Sequence, residues 1–258
     1  MPFLFTNNIN IHYEIIGNGP PLLFIHGLGG SFKDWEKQVA FFEKEYQIIL
    51  CDLRGHGKTD KPEAPYSVPL FTQDIASFLK TLAVDQAHVV GHSLGGMISF
   101  QLALDYPKLV KSLTIINSSP AVIFPDFKTQ FKFQLRGLNI KLFGMKPFSI
   151  GCAKSLFPKP EQEKIREIFI QRWCENSPKA YINALHAFKG WNVIHRLSEI
   201  QCPTLIVTAD NDYTTVNYKE AYTRLIPNAK LVVIKDSRHA TTWDQPKALN
   251  KVIGEFLV

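Results

Sequence analysis

The stretch Gly91-His92-Ser93-Leu94-Gly95-Gly96 constrains this 258-residue chain more than any other. Apolar, partly β-branched Ala87-His88-Val89-Val90 precedes it, and Met97, Ile98, Phe100, Leu102, Ala103 and Leu104 follow as a helix with few polar positions. A strand, a sharp turn with Ser between glycines, and a helix form the setting in which G-x-S-x-G carries chemistry. Ser93 must stand clear of a sheet, which strains its backbone, and strand and helix pass too close for any Cβ at Gly91 or Gly95. The free N–H groups and dipole of the following helix favour negative charge at the tip. Ser93 is therefore the candidate nucleophile.

Around this unit, apolar runs alternate with helical spacing. Asn10 to Ile16 alternates as an antiparallel edge strand before Gly17-Asn18-Gly19-Pro20. Pro21-Leu22-Leu23-Phe24-Ile25 and Tyr46 to Cys51 read as strands buried on both faces. Ser112 to Asn117, Pro203 to Thr208 and Lys230 to Ile234 supply further strands. Helical spacing runs from Lys33 to Lys44, with Ser31 as its cap, from Pro69 to Leu82, and from Gln245 to Leu257. This pattern predicts an α/β fold, a mostly parallel sheet with helices on both faces. A core of residues 1–117 and 201–258 is interrupted by 118–200, far longer than one crossover helix and rich in Phe and Trp without strand alternation. That interval predicts a helical lid over the strand ends, where Phe124, Phe131 and Trp191 are candidates for substrate contact.

A serine hydroxyl needs a base within reach, and the base needs an orienting carboxylate. Of eight histidines, His239 alone lies free of another explanation in a loop directly after the last strand, the sheet edge where such folds place chemistry. The acid belongs on the loop Ala209-Asp210-Asn211-Asp212-Tyr213. Asp210, nearer the strand end, suits a turn contact; Asp212 stands further out and is preferred. For a developing oxyanion, the N–H of Leu94 and that of Leu28, in the glycine-rich loop His26-Gly27-Leu28-Gly29, are the candidate donors. Losing one such donor costs about 3–4 kcal/mol of transition-state stabilisation.

In this order the motifs resemble those of the α/β-hydrolase superfamily over nearly the whole chain. His26-Gly27-Leu28-Gly29 is similar to its oxyanion loop, and Asp52-Leu53-Arg54-Gly55-His56-Gly57-Lys58-Thr59 to its D-x-R-G-x-G-x-S segment. The elbow has the form common in small esterases and lactonases. Ala209 to Asp212 resembles a G-x-x-D acid loop with Ala in place of Gly, which favours Asp212 over Asp210. Arg238-His239 with Asp244-Gln245-Pro246 resembles a G-H-x-x-x-x-E-x-P ending, with Arg238 at the Gly position. The resemblance implies an eight-stranded sheet, a helical cap over 118–200, no cofactor or metal, and ester hydrolysis through an acyl-enzyme. It also leaves open enol-lactone opening, carbon–carbon bond hydrolysis and a non-catalytic ligand receptor.

Composition bounds the rest. Hydrophobic content of 45% and charged content of 20% fit one globular α/β domain, and no apolar run reaches the roughly 20 residues of a membrane span. Met1 to Asn8 lacks the pattern of an export signal, so a cytoplasmic location is expected. Cys51, Cys152, Cys174 and Cys202 show no paired spacing and read as free thiols. A charge of +6 is too modest to argue for nucleic acid. The expected partner is a small-molecule ester. Lys128, Lys132, Arg136, Lys141 and Lys146 raise the further idea of an acidic acyl carrier meeting a basic cap, against the plainer account of a solvated helix face.

Overall fold

The structure, a computed structural model, describes residues 2–63, 65–122 and 127–257, with the side chains of 127–130 and 132 outside that description. Eight strands form one sheet: β1 Phe3–Thr6, β2 Ile9–Ile16, β3 Pro21–Ile25, β4 Gln47–Cys51, β5 Ala87–His92, β6 Val110–Ile116, β7 Thr204–Ala209 and β8 Ala229–Ile234. Their spatial order is β1-β2-β4-β3-β5-β6-β7-β8. β2 pairs antiparallel with both β1 and β4, and every pairing from β4 to β8 is parallel. The helices are α1 Glu36–Phe42, α2 Val68–Thr81, α3 Leu94–Asp105, α4 Phe127–Phe143, α5 Met145–Leu156, α6 Glu163–Cys174, α7 Pro178–His186, α8 Val216–Thr223, α9 Thr241–Asp244 and α10 Pro246–Leu257.

Strand alternation builds two cores. In β3, Leu23 and Ile25 join the cluster under α2 and α3, while Leu22 and Phe24 join the one under α1 and α10. β5, β6 and β7 divide in the same way, with Val89, Leu113 and Ile206 on one face and Val90, Ile116 and Val207 on the other. Strands covered on both faces have to be apolar nearly throughout, which explains the unbroken runs in the sequence.

The chain goes outward from β3 to β4, then returns to lay β5 on the other side of β3. Such a reversal leaves a crevice beyond the carboxyl ends of the two strands. The loop after β3 and the turn after β5 both open into it. α4 to α7 all fall between β6 and β7.

Two elements differ from expectation. Phe3–Thr6 is a strand, paired in register with Ile9–His12. The helix expected from Lys33 is instead a 3₁₀ turn, Phe32–Trp35, leading into the shorter α1. Asp34 turns back to accept the Ser31 backbone N–H at 3.3 Å, which ties up the first turn locally.

A Cβ on Gly95 would overlap the backbone carbonyls of Ile25 and His26, so α3 can approach β3 only with glycine there. Gly95→Ala is expected to lower stability in urea by about 1–3 kcal/mol through overpacking. Gly151, inside α5, has open space around its missing Cβ. Gly151→Ala should raise stability by about 0.5–1 kcal/mol, the helix-propensity difference alone.

Candidate active site

Ser93 follows β5 and precedes α3 with φ 54° and ψ −116°, a region that non-glycine residues rarely occupy. Its neighbours hold it there. The Ser93 N–H donates to the Ile116 carbonyl at 3.0 Å. The Ser93 carbonyl accepts from Gly96 N–H at 2.9 Å, Met97 N–H at 3.1 Å and the Ser118 hydroxyl at 2.6 Å. Leu94 is the first residue of α3, so its N–H has no acceptor within the helix.

His239 Nε2 lies 2.9 Å from Ser93 Oγ, and His239 Nδ1 lies 2.5 Å from Asp212 Oδ1. Burial alone would raise the Asp212 carboxyl, but His239 and Lys219 outweigh it and hold the group well below the usual carboxylate range. An ionised carboxylate only accepts, so Nδ1 carries the ring proton and Nε2 is left to accept from the Ser93 hydroxyl. Of the two loop carboxylates, Asp212 thus reaches the histidine. Asp210 instead accepts from the Asp236 and Ser237 N–H groups at 3.0 and 3.1 Å, tying the acid loop to the His239 loop.

The second oxygen of Asp212 pairs with a group the sequence reading did not single out. Lys219 Nζ, on α8, donates to Asp212 Oδ2 and, at 2.8 Å, to the Thr208 hydroxyl. The lysine side chain is fully buried, and that burial lowers its pKa against the pull of Asp212. With Oδ2 fixed by Lys219, Oδ1 faces His239.

Asn117 and His92 fix the other partner. Asn117 Nδ2 donates to the His239 carbonyl at 2.8 Å and to Thr241 Oγ1 at 2.7 Å, while its Oδ1 accepts the Ala209 N–H at 2.8 Å. One side chain therefore bridges β7 to the His239 loop. His92 Nε2 donates to the same His239 carbonyl at 2.7 Å. Tyr213 stacks on the His239 ring, centroids 4.2 Å apart. His26 is structural: it donates to the Gly27 carbonyl at 2.8 Å and accepts the Leu53 N–H at 3.0 Å, which shapes the loop carrying Leu28.

Comparison with known proteins bears on the family and the fold. A family model described as alpha/beta hydrolase fold matches residues 20–141. An Azorhizobium caulinodans protein provisionally named carbamate hydrolase RutD is 28% identical over 264 residues, covering 99% of this chain and 98% of its own. The 3-oxoadipate enol-lactonase 2 of Acinetobacter baylyi is 25% identical over 256 residues, covering 97% and 94%. The solved structure of Est816, described as an N-acyl homoserine lactone degrading enzyme, is 30% identical with a TM-score of 0.85, covering 99% and 100%. The chain belongs to the α/β-hydrolase superfamily.

In this α/β-hydrolase, Ser93, His239, Asp212, Leu28 and Leu94 line one cavity of about 860 Å³ between the carboxyl edge of the sheet and helices α4 to α6. Its aromatic wall is not the one expected. Phe131 is 49% exposed and Trp191 is buried with its indole N–H donating to Gln101 at 2.8 Å; neither lines the cavity. Phe124 lies outside the described residues. Phe133, Phe169, Trp173 and Phe188 line it instead. Of the five basic residues considered for an acidic partner, three are described by the structure. Arg136 lines the cavity, Lys141 and Lys146 are exposed, and the side chains of Lys128 and Lys132 lie outside the described residues. Among the described residues no helix is long and apolar enough to cross a membrane.

Two electrostatic predictions follow from these surroundings. Lys219→Met strands a buried carboxylate and should cost about 3–5 kcal/mol at pH 7, whereas the Asp212→Asn/Lys219→Met pair should cost less than the two single losses summed. Urea titration of the four proteins measures the coupling. Asp34, also on the cavity wall, has its carboxyl pushed up to about 7 by burial, against the pull of Arg172 at 3.9 Å. A carboxyl raised above its unfolded value of 3.8 favours folding at acid pH and loses that contribution as pH rises through about 7. Asp34→Asn should therefore gain on the wild type between pH 5 and 8.5, by on the order of 2 kcal/mol.

Proposed function

We propose that this hydrolase cleaves carboxylic esters of small or medium acyl groups through an acyl-enzyme on Ser93. What carries the reading is the unbroken relay from Asp212 through His239 to Ser93 Oγ, 2.5 Å and 2.9 Å, at the floor of a largely apolar cavity. His239 takes the hydroxyl proton as Ser93 Oγ attacks the carbonyl carbon. Asp212 keeps the ring in the right tautomer and stabilises its charged form. The N–H groups of Leu28 and Leu94 receive the oxyanion. As the intermediate collapses, the carbon–oxygen bond to the leaving group breaks and His239 hands its proton to the departing alkoxide. Water then repeats the attack, with His239 as base, and releases the acid and free Ser93.

Residues 118–200 act in this scheme as a cap. Their aromatic side chains exclude water from the reacting carbonyl and grip the acyl chain. A lactone is a cyclic ester whose alkoxide stays tethered, so lactone opening is a second reading of the same chemistry. It is favoured by the 30% identity to Est816 along the full length of both chains.

The test is a p-nitrophenyl ester series run beside a lactone series. The wild type should turn over at least one, and Ser93→Ala and His239→Ala should each lower kcat by about 10³- to 10⁶-fold with the fold intact. Undiminished turnover in Ser93→Ala would overturn the assignment. Tight ligand binding by the wild type without any turnover would favour a receptor.

A further inference from the structure

The cavity wall is dominated by apolar and aromatic groups, yet it contains a guanidinium that the proposed acyl transfer does not use. Arg136, on α4, lines the cavity. Its Cζ lies 4.7 Å over the Phe148 ring and 5.4 Å over that of Tyr181, and Nη2 donates to the Tyr181 hydroxyl. Its Nε is buried and, among the described residues, has no hydrogen-bond partner. The titratable groups acting on it, Tyr181, Cys152 and Tyr213, are all acids that burial holds in their neutral form. Among the described residues no carboxylate forms an ion pair with it. The cavity's own carboxylates are engaged elsewhere, Asp212 with Lys219 and His239, and Asp34 toward Arg172.

A guanidinium stays charged at any physiological pH, and a half-buried charge without a counter-ion retains capacity to bind an anion. Stacking on two rings orients the group but does not neutralise it. We infer that Arg136 is the anchor for a carboxylate on the substrate, distal to the carbonyl that Ser93 attacks. A carboxylate fits better than a phosphate because two N–H groups of one guanidinium match its two oxygens, whereas a dianion calls for a second cation. The substrate class becomes a half-ester or lactone of a dicarboxylic acid. This inference rests on the ester-cleaving reading for its reaction but not for its binding.

The test compares p-nitrophenyl hemiglutarate with p-nitrophenyl valerate, in which a methyl group replaces the distal carboxylate. In the wild type kcat/KM should favour the hemiglutarate, and glutarate should inhibit competitively. In Arg136→Met that preference should fall by about 10- to 100-fold, the range for a lost charge-assisted hydrogen bond, with Arg136→Lys in between. Equal slowing of both esters would mean that Arg136 only braces α4, and would overturn the inference.

A binding arm separates the two claims. Glutarate should raise the melting temperature of both the wild type and Ser93→Ala, and leave Arg136→Met unmoved, while neutral glutaramide moves none of them. Glutarate binding without turnover of either ester sinks the esterase reading and keeps the carboxylate site. Should Arg136→Met fail to fold, wild type that neither prefers the hemiglutarate nor binds glutarate overturns the site by itself.

Discussion

A serine held at φ 54° is the constraint on which the rest of the molecule depends. L-residues leave that region unless neighbours prevent it, at an expense on the order of 1–3 kcal/mol. Here the prevention is built from both sides. Gly95 lets α3 sit against the carbonyls of Ile25 and His26. The carbonyl of Ile116 and the hydroxyl of Ser118 grip the Ser93 backbone from β6 and the residues just beyond it. Pulling α3 onto β3 also brings the loop carrying Leu28 beside the N-terminus that carries Leu94. Strain, the switch in strand order and the two candidate oxyanion donors are thus one arrangement.

Charge is managed with equal economy. Asp212 is a buried anion facing two partners, the imidazole on one oxygen and Lys219 on the other. The lysine keeps the carboxylate ionised and its second oxygen occupied, so the imidazole tautomer is fixed before any substrate arrives. Arg136 is the counterpart across the cavity: a cation whose stacking partners orient it and which, among the described residues, forms no ion pair with a carboxylate. One cation completes the hydrogen-bonded chain to Ser93, and the other is the proposed anchor for the substrate.

The parts of this site that the sequence makes legible are those whose signal is local. Ser93 lies between strand and helix, His239 just after the last strand and Asp212 in the loop after β7, and chain-adjacent context is enough to find each. Lys219 was missed because it stands as an ordinary polar residue on a short helix, and only the packing of α8 against β7 turns it inward. Arg136 read as one of five surface cations for the same reason. Phe131 and Phe133 illustrate the limit: two residues apart on a helix they point about 200° apart, and only the rotation of α4 decides which meets the cavity. Trp191 was lost to a hydrogen bond, since a buried indole N–H needs an acceptor and Gln101 supplies it. Phe3–Thr6 gave no strand signal, because two of its four side chains face solvent and its pairing with β2 makes it a strand.

The most direct measurement of the central claim is covalent capture by an alkyl fluorophosphonate, read by intact mass and peptide mapping at neutral pH. A nucleophile activated by a His239 that Asp212 orients predicts one equivalent of label on Ser93, formed orders of magnitude more slowly in His239→Ala and absent in Ser93→Ala. Label on another residue, or labelling of Ser93 at the same rate without His239, would contradict it.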